Sequence, residues 1–148
     1  MAKQIIKANQ IDWSSFSANI KSAQSTTTGT PVNGSNVNLA STGVAVTFTV
    51  ATACVAFVTV GIAVVSTTDF ENKPLIYLDG GLVAGAGYNA AAGNASSRTN
   101  PRPFSSGIAI PAGTHTLSAG IVVSSASSPS VPGGGANISV IILGNVTA

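Results

Sequence analysis

Charge is what this chain has least of. Only 7% of its 148 residues are Asp, Glu, Lys or Arg, against roughly a quarter in an average soluble protein. An isolated monomer relies on a charged, mixed surface to stay dispersed, so a chain this neutral is expected to set much of its surface against other protein. The six basic residues are also too scattered for nucleic acid. Lys3, Lys7 and Lys21 lie near the N-terminus and Lys73, Arg98 and Arg102 far apart, with no basic stripe interleaved with aromatics.

Cysteine is nearly absent. The one present, Cys54, excludes an intrachain disulfide and, inside a Val- and Ala-rich run, reads as a small buried apolar residue. No Cys/His spacing of a metal site occurs, no GxSxG elbow, and no glycine loop of the phosphate-binding kind. Of the four acidic residues, Asp79 is explained by a turn and Asp12 as a candidate helix N-cap. Asp69 and Glu71 sit two apart and supply too few oxygens for Ca²⁺. No cofactor is implied. The opening residues carry Lys, Asn and Asp where a secretory signal has an apolar stretch, so synthesis in the cytoplasm is expected.

Long hydrophobic runs are limited to one. Residues 44–65 are uncharged and long enough for a membrane helix. They are crowded with Val and Thr, contain no Leu, lack flanking Lys or Arg, and divide at 51–53. Two buried strands are the better reading.

What is abundant is Ser, Thr, Asn, Gly and Ala, a strand-and-turn palette. Val44, Val46, Phe48 and Val50 alternate with small or polar residues, the pattern of a strand with one buried face. The next run is apolar on both parities: Ala56, Val58, Val60 and Ile62 on one side, Val55, Phe57, Ala63 and Val65 on the other. An antiparallel strand with two apolar faces needs a second cover, and a subunit interface would provide it. In residues 75–83, Asp79-Gly80 between apolar pieces predicts a type I′ hairpin. Residues 85–107 and 124–136 read as long loops, the first carrying Tyr88, Arg98 and Arg102 as candidate contact residues. Ile138 to Leu143 reads as a closing strand. Seven or eight strands with frequent turns predict an all-β antiparallel sandwich or jelly roll, residues 25–148, preceded by an arm or short helix over residues 1–24. There Trp13, Phe16 and Ile20 stand at helical spacing, either closing over the domain's own core or docking on a partner.

His115 is the only histidine. By parity it joins Leu117, Ala119, Ile121 and Val123 on an apolar face, while Thr114, Thr116, Ser118 and Gly120 take the other. It is expected at the rim of that face, with one ring nitrogen on a backbone partner. A hydrolase with His115 as base is the competing reading, and a His/Cys54 pair is disfavoured because a buried thiol is a poor nucleophile.

The stretches "IPAGTHTLSAGI", "LIYLDGG", "QIDWSSF" and "ISVIILG" together resemble small jelly-roll domains of bacteriophage virion proteins, broadly similar to the trimeric TNF/C1q-like heads. The resemblance implies a non-enzymatic homotrimer on the phage particle, without nucleic-acid binding or membrane insertion. As a capsid decoration (cement) protein it would dock on the major capsid protein through Trp13, Phe16 and Ile20. As a receptor-binding tip or tail-fibre component it would instead meet a host cell-surface receptor through its long loops. Near a threefold axis, three copies of His115 would repel on protonation.

Overall fold

The computed structural model describes residues 19–32, 34–87, 89–91, 103–124, 129–144 and 146–147. They form the strands β1 (Ile20–Gln24), β2 (Val37–Asn38), β3 (Ala45–Val50), β4 (Cys54–Ile62), β5 (Phe70–Leu78), β6 (Gly81–Gly85), β7 (Asn89–Ala91), β8 (Phe104–Ile110), β9 (Gly113–Ser124), β10 (Ala136–Leu143) and β11 (Val146–Thr147), with one 3-10 turn at Ala40–Thr42. No helix of the described residues is long and apolar enough to cross a membrane. The long apolar run is two strands, β3 and β4, divided at residues 51–53.

Every strand pairing is antiparallel. One sheet has four strands in the order β1-β10-β4-β8; the other runs β11-β3-β9-β5-β6, with β2 added on β9 and β7 on β5. Counted in chain order, the eight principal strands (β1, β3, β4, β5, β6, β8, β9, β10) fall as first-eighth-third-sixth in one sheet and second-seventh-fourth-fifth in the other. This is the wrapping of a jelly roll. It brings β1 beside β10 in the smaller sheet, while the last short strand, β11, pairs with β3 at the edge of the larger one.

Period-two alternation builds the core. Val44, Val46, Phe48 and Val50 are buried from β3 and its lead-in, Ala56, Val58, Val60 and Ile62 from β4, and Ile138, Val140 and Ile142 from β10. Beside β3 in the larger sheet, Leu117, Ala119, Ile121 and Val123 of β9 complete the layer that faces β4 and β10. A second, smaller buried cluster of Leu75, Tyr77 and Val122 lies on the opposite parity, the outer face of the larger sheet. It is built by close approach: a Cβ on Gly120 would lie 2.3 Å from Tyr77 Cε2 and 2.7 Å from the Val37 carbonyl oxygen. The glycine therefore lets the Tyr77 ring lie across β9, where burial raises the phenol's pKa.

Three expectations need correction. Residues 85–107 are not one loop, because β7 and the start of β8 fall inside them. The alternation of β8 is muted on its outer side, where Ser105, Gly107 and Ala109 are small, and pairing with β4 supplies what pattern does not. Residues 124–136 are tied down in part: Gly29 and Val131 exchange two backbone hydrogen bonds of 2.8 Å, and Val65 and Ser130 pair likewise. Cys54 is half-buried at the first residue of β4 rather than buried within it.

Candidate functional site

Two features hold whatever chemistry the described residues offer: the polar corner around His115, and the outer face of the four-stranded sheet.

The corner follows from register. In the β5–β9 pairing Leu78 stands opposite Leu117, so the next residue, Asp79, arrives opposite Thr116. Asp79 and Gly80 form the two-residue loop between β5 and β6, with Leu78 opposite Gly81 and φ of 51° and 81° at the loop residues. Those values are the predicted type I′ turn. Asp79 N–H donates to the Thr116 carbonyl at 2.9 Å. Its carboxylate then accepts twice, from Thr116 N–H on Oδ1 at 2.8 Å and from His115 Nδ1 on Oδ2 at 2.7 Å. Both contacts favour the ionised acid, and the His115 bond followed by the Thr116 bond lowers the Asp79 pKa below its ordinary 3.8.

A carboxylate only accepts, so Nδ1 carries a proton and donates it to Asp79. Nε2 is buried without a hydrogen-bond partner among the described residues, and the ring edge lies against Gly113, whose added Cβ would sit 3.5 Å from it. His115 stands directly across from buried Phe48, so its parity is the predicted apolar one. The predicted backbone partner is corrected to the Asp79 side chain. An Asp–His pair of this shape is two-thirds of a hydrolytic triad. The third part would have to meet Nε2, and that nitrogen faces inward. As built, the pair ties a hairpin to a neighbouring strand.

The outer face of the smaller sheet is laid out in rows by its register. Ile20, Ile141, Phe57 and Gly107 stand side by side across β1, β10, β4 and β8. The next row toward one end holds Leu143, Val55 and Ala109. Toward the other end come Ser22, Ser139, Thr59 and Ser105, with Thr59 and Ser105 hydroxyls hydrogen-bonded at 2.8 Å. One half of the face is thus apolar and the other hydroxyl-bearing, and no described residue on it is charged. Its large side chains are open to solvent: Ile20 46%, Val55 43%, Phe57 53%, Ile141 44% and Leu143 61% exposed. The split of β4 by parity, Ala56, Val58, Val60 and Ile62 inward and Val55 and Phe57 outward, is the one its sequence predicts. Ala63 and Val65, however, expected beside Val55 and Phe57, lie beyond the end of β4, and Ala63 is buried.

Of the predicted docking residues, Ile20 lies in β1 on this face, while Trp13 and Phe16 lie outside the described residues. Ile20–Gln24, the end of the expected arm, is strand hydrogen-bonded to β10. The predicted loop contacts Tyr88, Arg98 and Arg102 lie outside the described residues too. What sequence reasoning missed was the company Phe57 keeps. Ile141 and Leu143 belong to a strand that is apolar on both parities from Val140 onward, but only the register places them beside Phe57 and Val55. Asp79 as the partner of His115 was equally hidden, 36 positions away in the sequence.

No protein-family model and no curated protein matches the chain. Solved structures of similar shape include a family 35 carbohydrate-binding module from Cellvibrio japonicus Abf62, at 12% identity and TM-score 0.44, covering 87% of this chain and 96% of that one. The infectious bursal disease virus VP2 subviral particle is similar at 15% identity and TM-score 0.44, over 82% of this chain but 32% of that one. A CBM36-1 domain of a xylanase from the hindgut metagenome of Trinervitermes trinervoides matches at 15% identity and TM-score 0.41, over 82% and 96%. Likenesses this remote carry no function to the chain.

Proposed function

We propose that this protein is a non-enzymatic structural protein of a bacteriophage particle, a jelly-roll block that decorates the capsid. The observation that carries the reading is the outer face of β1-β10-β4-β8, apolar in one half and without a charged side chain among its described residues. The core of the sandwich is already closed by its two sheets, so this face is surplus to folding. Exposed apolar patches beyond a few hundred Å² mark contact surfaces. A protein held in an assembly through such faces stabilises the assembled state by mass action. The His115–Asp79 corner serves the same end by fixing the β5–β6 hairpin to β9.

The test uses particles assembled without this protein. Added back, it should coat the shell and raise the temperature at which the genome is released. Binding confined to the tail, with attachment to host cells lost in its absence, would replace decoration with the receptor-binding tip or tail-fibre reading. His115→Ala protein should still coat particles. A hydrolytic activity that His115→Ala abolishes would overturn the non-enzymatic assignment.

A further inference from the structure

The outer face of the four-stranded sheet is not only apolar; it is complementary to itself. Across its central row the side chains run Ile20, Ile141, Phe57 and then none at all, at Gly107. A Cβ built on Gly107 would meet only Val55 Cγ1, at 3.7 Å, so a recess opens beside Phe57 on the β8 side. The opposite border of the row, on β1, ends in the half-exposed Ile20.

We propose that this face pairs with the same face of a second copy of the chain. The two-fold axis lies between the two sheets, along the strands, and passes between β10 and β4. Such an axis exchanges β10 with β4 and β1 with β8. Ile20 of each copy then enters the Gly107 recess of the other, and Ile141 and Phe57 stack across the axis. Position along the strands is preserved, so the apolar half meets the apolar half. The hydroxyl row of Ser22, Ser139, Thr59 and Ser105 meets its counterpart. Self-pairing sets every charge against its own kind, and the described residues of this face have none to set. That fits a second copy better than a strongly charged partner.

Size agrees. Four strands about 4.8 Å apart and eight residues of β10 at about 3.4 Å each describe a face of roughly 500 Å². Two such faces bury about 1,000 Å² in all, the lower bound for a specific interface, and sheets that stack this way sit about 10 Å apart at a small angle. The inference rests on the proposed role of this face in assembly but concerns the free protein. Any threefold contact of the kind the resemblance implies would use other surfaces.

The experiment is sedimentation equilibrium of the full chain across a wide concentration range, wild type beside Gly107→Val and Phe57→Lys. Both substitutions lie on the exposed face of a strand, and unchanged thermal unfolding of the dilute protein verifies that each variant folds. Wild type should dimerise. Gly107→Val fills the recess, Phe57→Lys puts a charge at the centre of the contact, and each should weaken dimerisation at least about thirtyfold, the loss typical of a central anchor. Wild type that stays monomeric at every concentration overturns the proposal, leaving residues 1–18 or another protein to cover the face. So does association that both variants leave intact, and one that survives Gly107→Val overturns the two-fold register. Particle coating is read separately, so loss of coating with intact dimers would sink the decoration reading alone.

Discussion

Replacing Asp79 by Asn tests how the corner of the sandwich is held. Asn tolerates the left-handed φ of 51° about as well as Asp does, so the I′ turn is kept. What changes is the count of acceptors. Two donors, His115 Nδ1–H and Thr116 N–H, converge on two carboxylate oxygens at 2.7 and 2.8 Å. Asn offers one oxygen and an N–H₂. If the oxygen stays on Thr116, the imidazole must accept on Nδ1 and carry its proton on Nε2, which is buried without a partner. A hydrogen bond to a charged group contributes about 1.5–3 kcal/mol. The Asp79 side chain is 50% exposed, and solvent screening brings its share nearer 1 kcal/mol. With the orphaned N–H added, the variant should lose about 1–2 kcal/mol, or roughly 2–8 °C of Tm for a domain of this size.

The pH dependence has a definite sign. The folded Asp79 pKa is depressed below 3.8, so its contribution is complete above that value and disappears as pH falls through the lower folded value. Differential scanning calorimetry of the two proteins should show the full gap at neutral pH and a closing gap below pH 3.8. Equal Tm values at neutral pH would refute the reasoning, as would a gap that persists undiminished in strong acid.

Other outcomes follow from the same packing. Gly120→Ala should destabilise by about 1–3 kcal/mol in denaturant titration, since its Cβ would meet Tyr77 and the Val37 carbonyl; Tyr77→Ala in the same chain should recover only part, because the carbonyl cannot leave. On β10, Ile142→Ala should cost about 2–5 kcal/mol as a core deletion. Its neighbour Ile141→Ala, on the exposed side, should cost the dilute protein no more than about 0.5 kcal/mol. Removing residues 1–18 leaves β1 in place and tests whether Trp13 and Phe16 dock on the shell: the truncated protein should fold but lose coating of particles.

The sequence by itself determined much of the core, because a strand exposes alternate side chains to opposite faces. Val44 to Val50 and the split of β4 needed no partner strand to be read. The Asp79-Gly80 hairpin was equally local, since few residue pairs accept two positive φ angles. Only the tertiary structure decided what depends on register. Asp79 meets His115 because β5 ends opposite Leu117. Phe57 becomes part of a patch because β10 and β1 bring Ile141 and Ile20 to its row. The strand β8 exists because β4 offers it an edge, though its small outer residues barely mark it. Side-chain alternation is a property of one strand; a site shared among four belongs to the pairing, which no single stretch of sequence encodes.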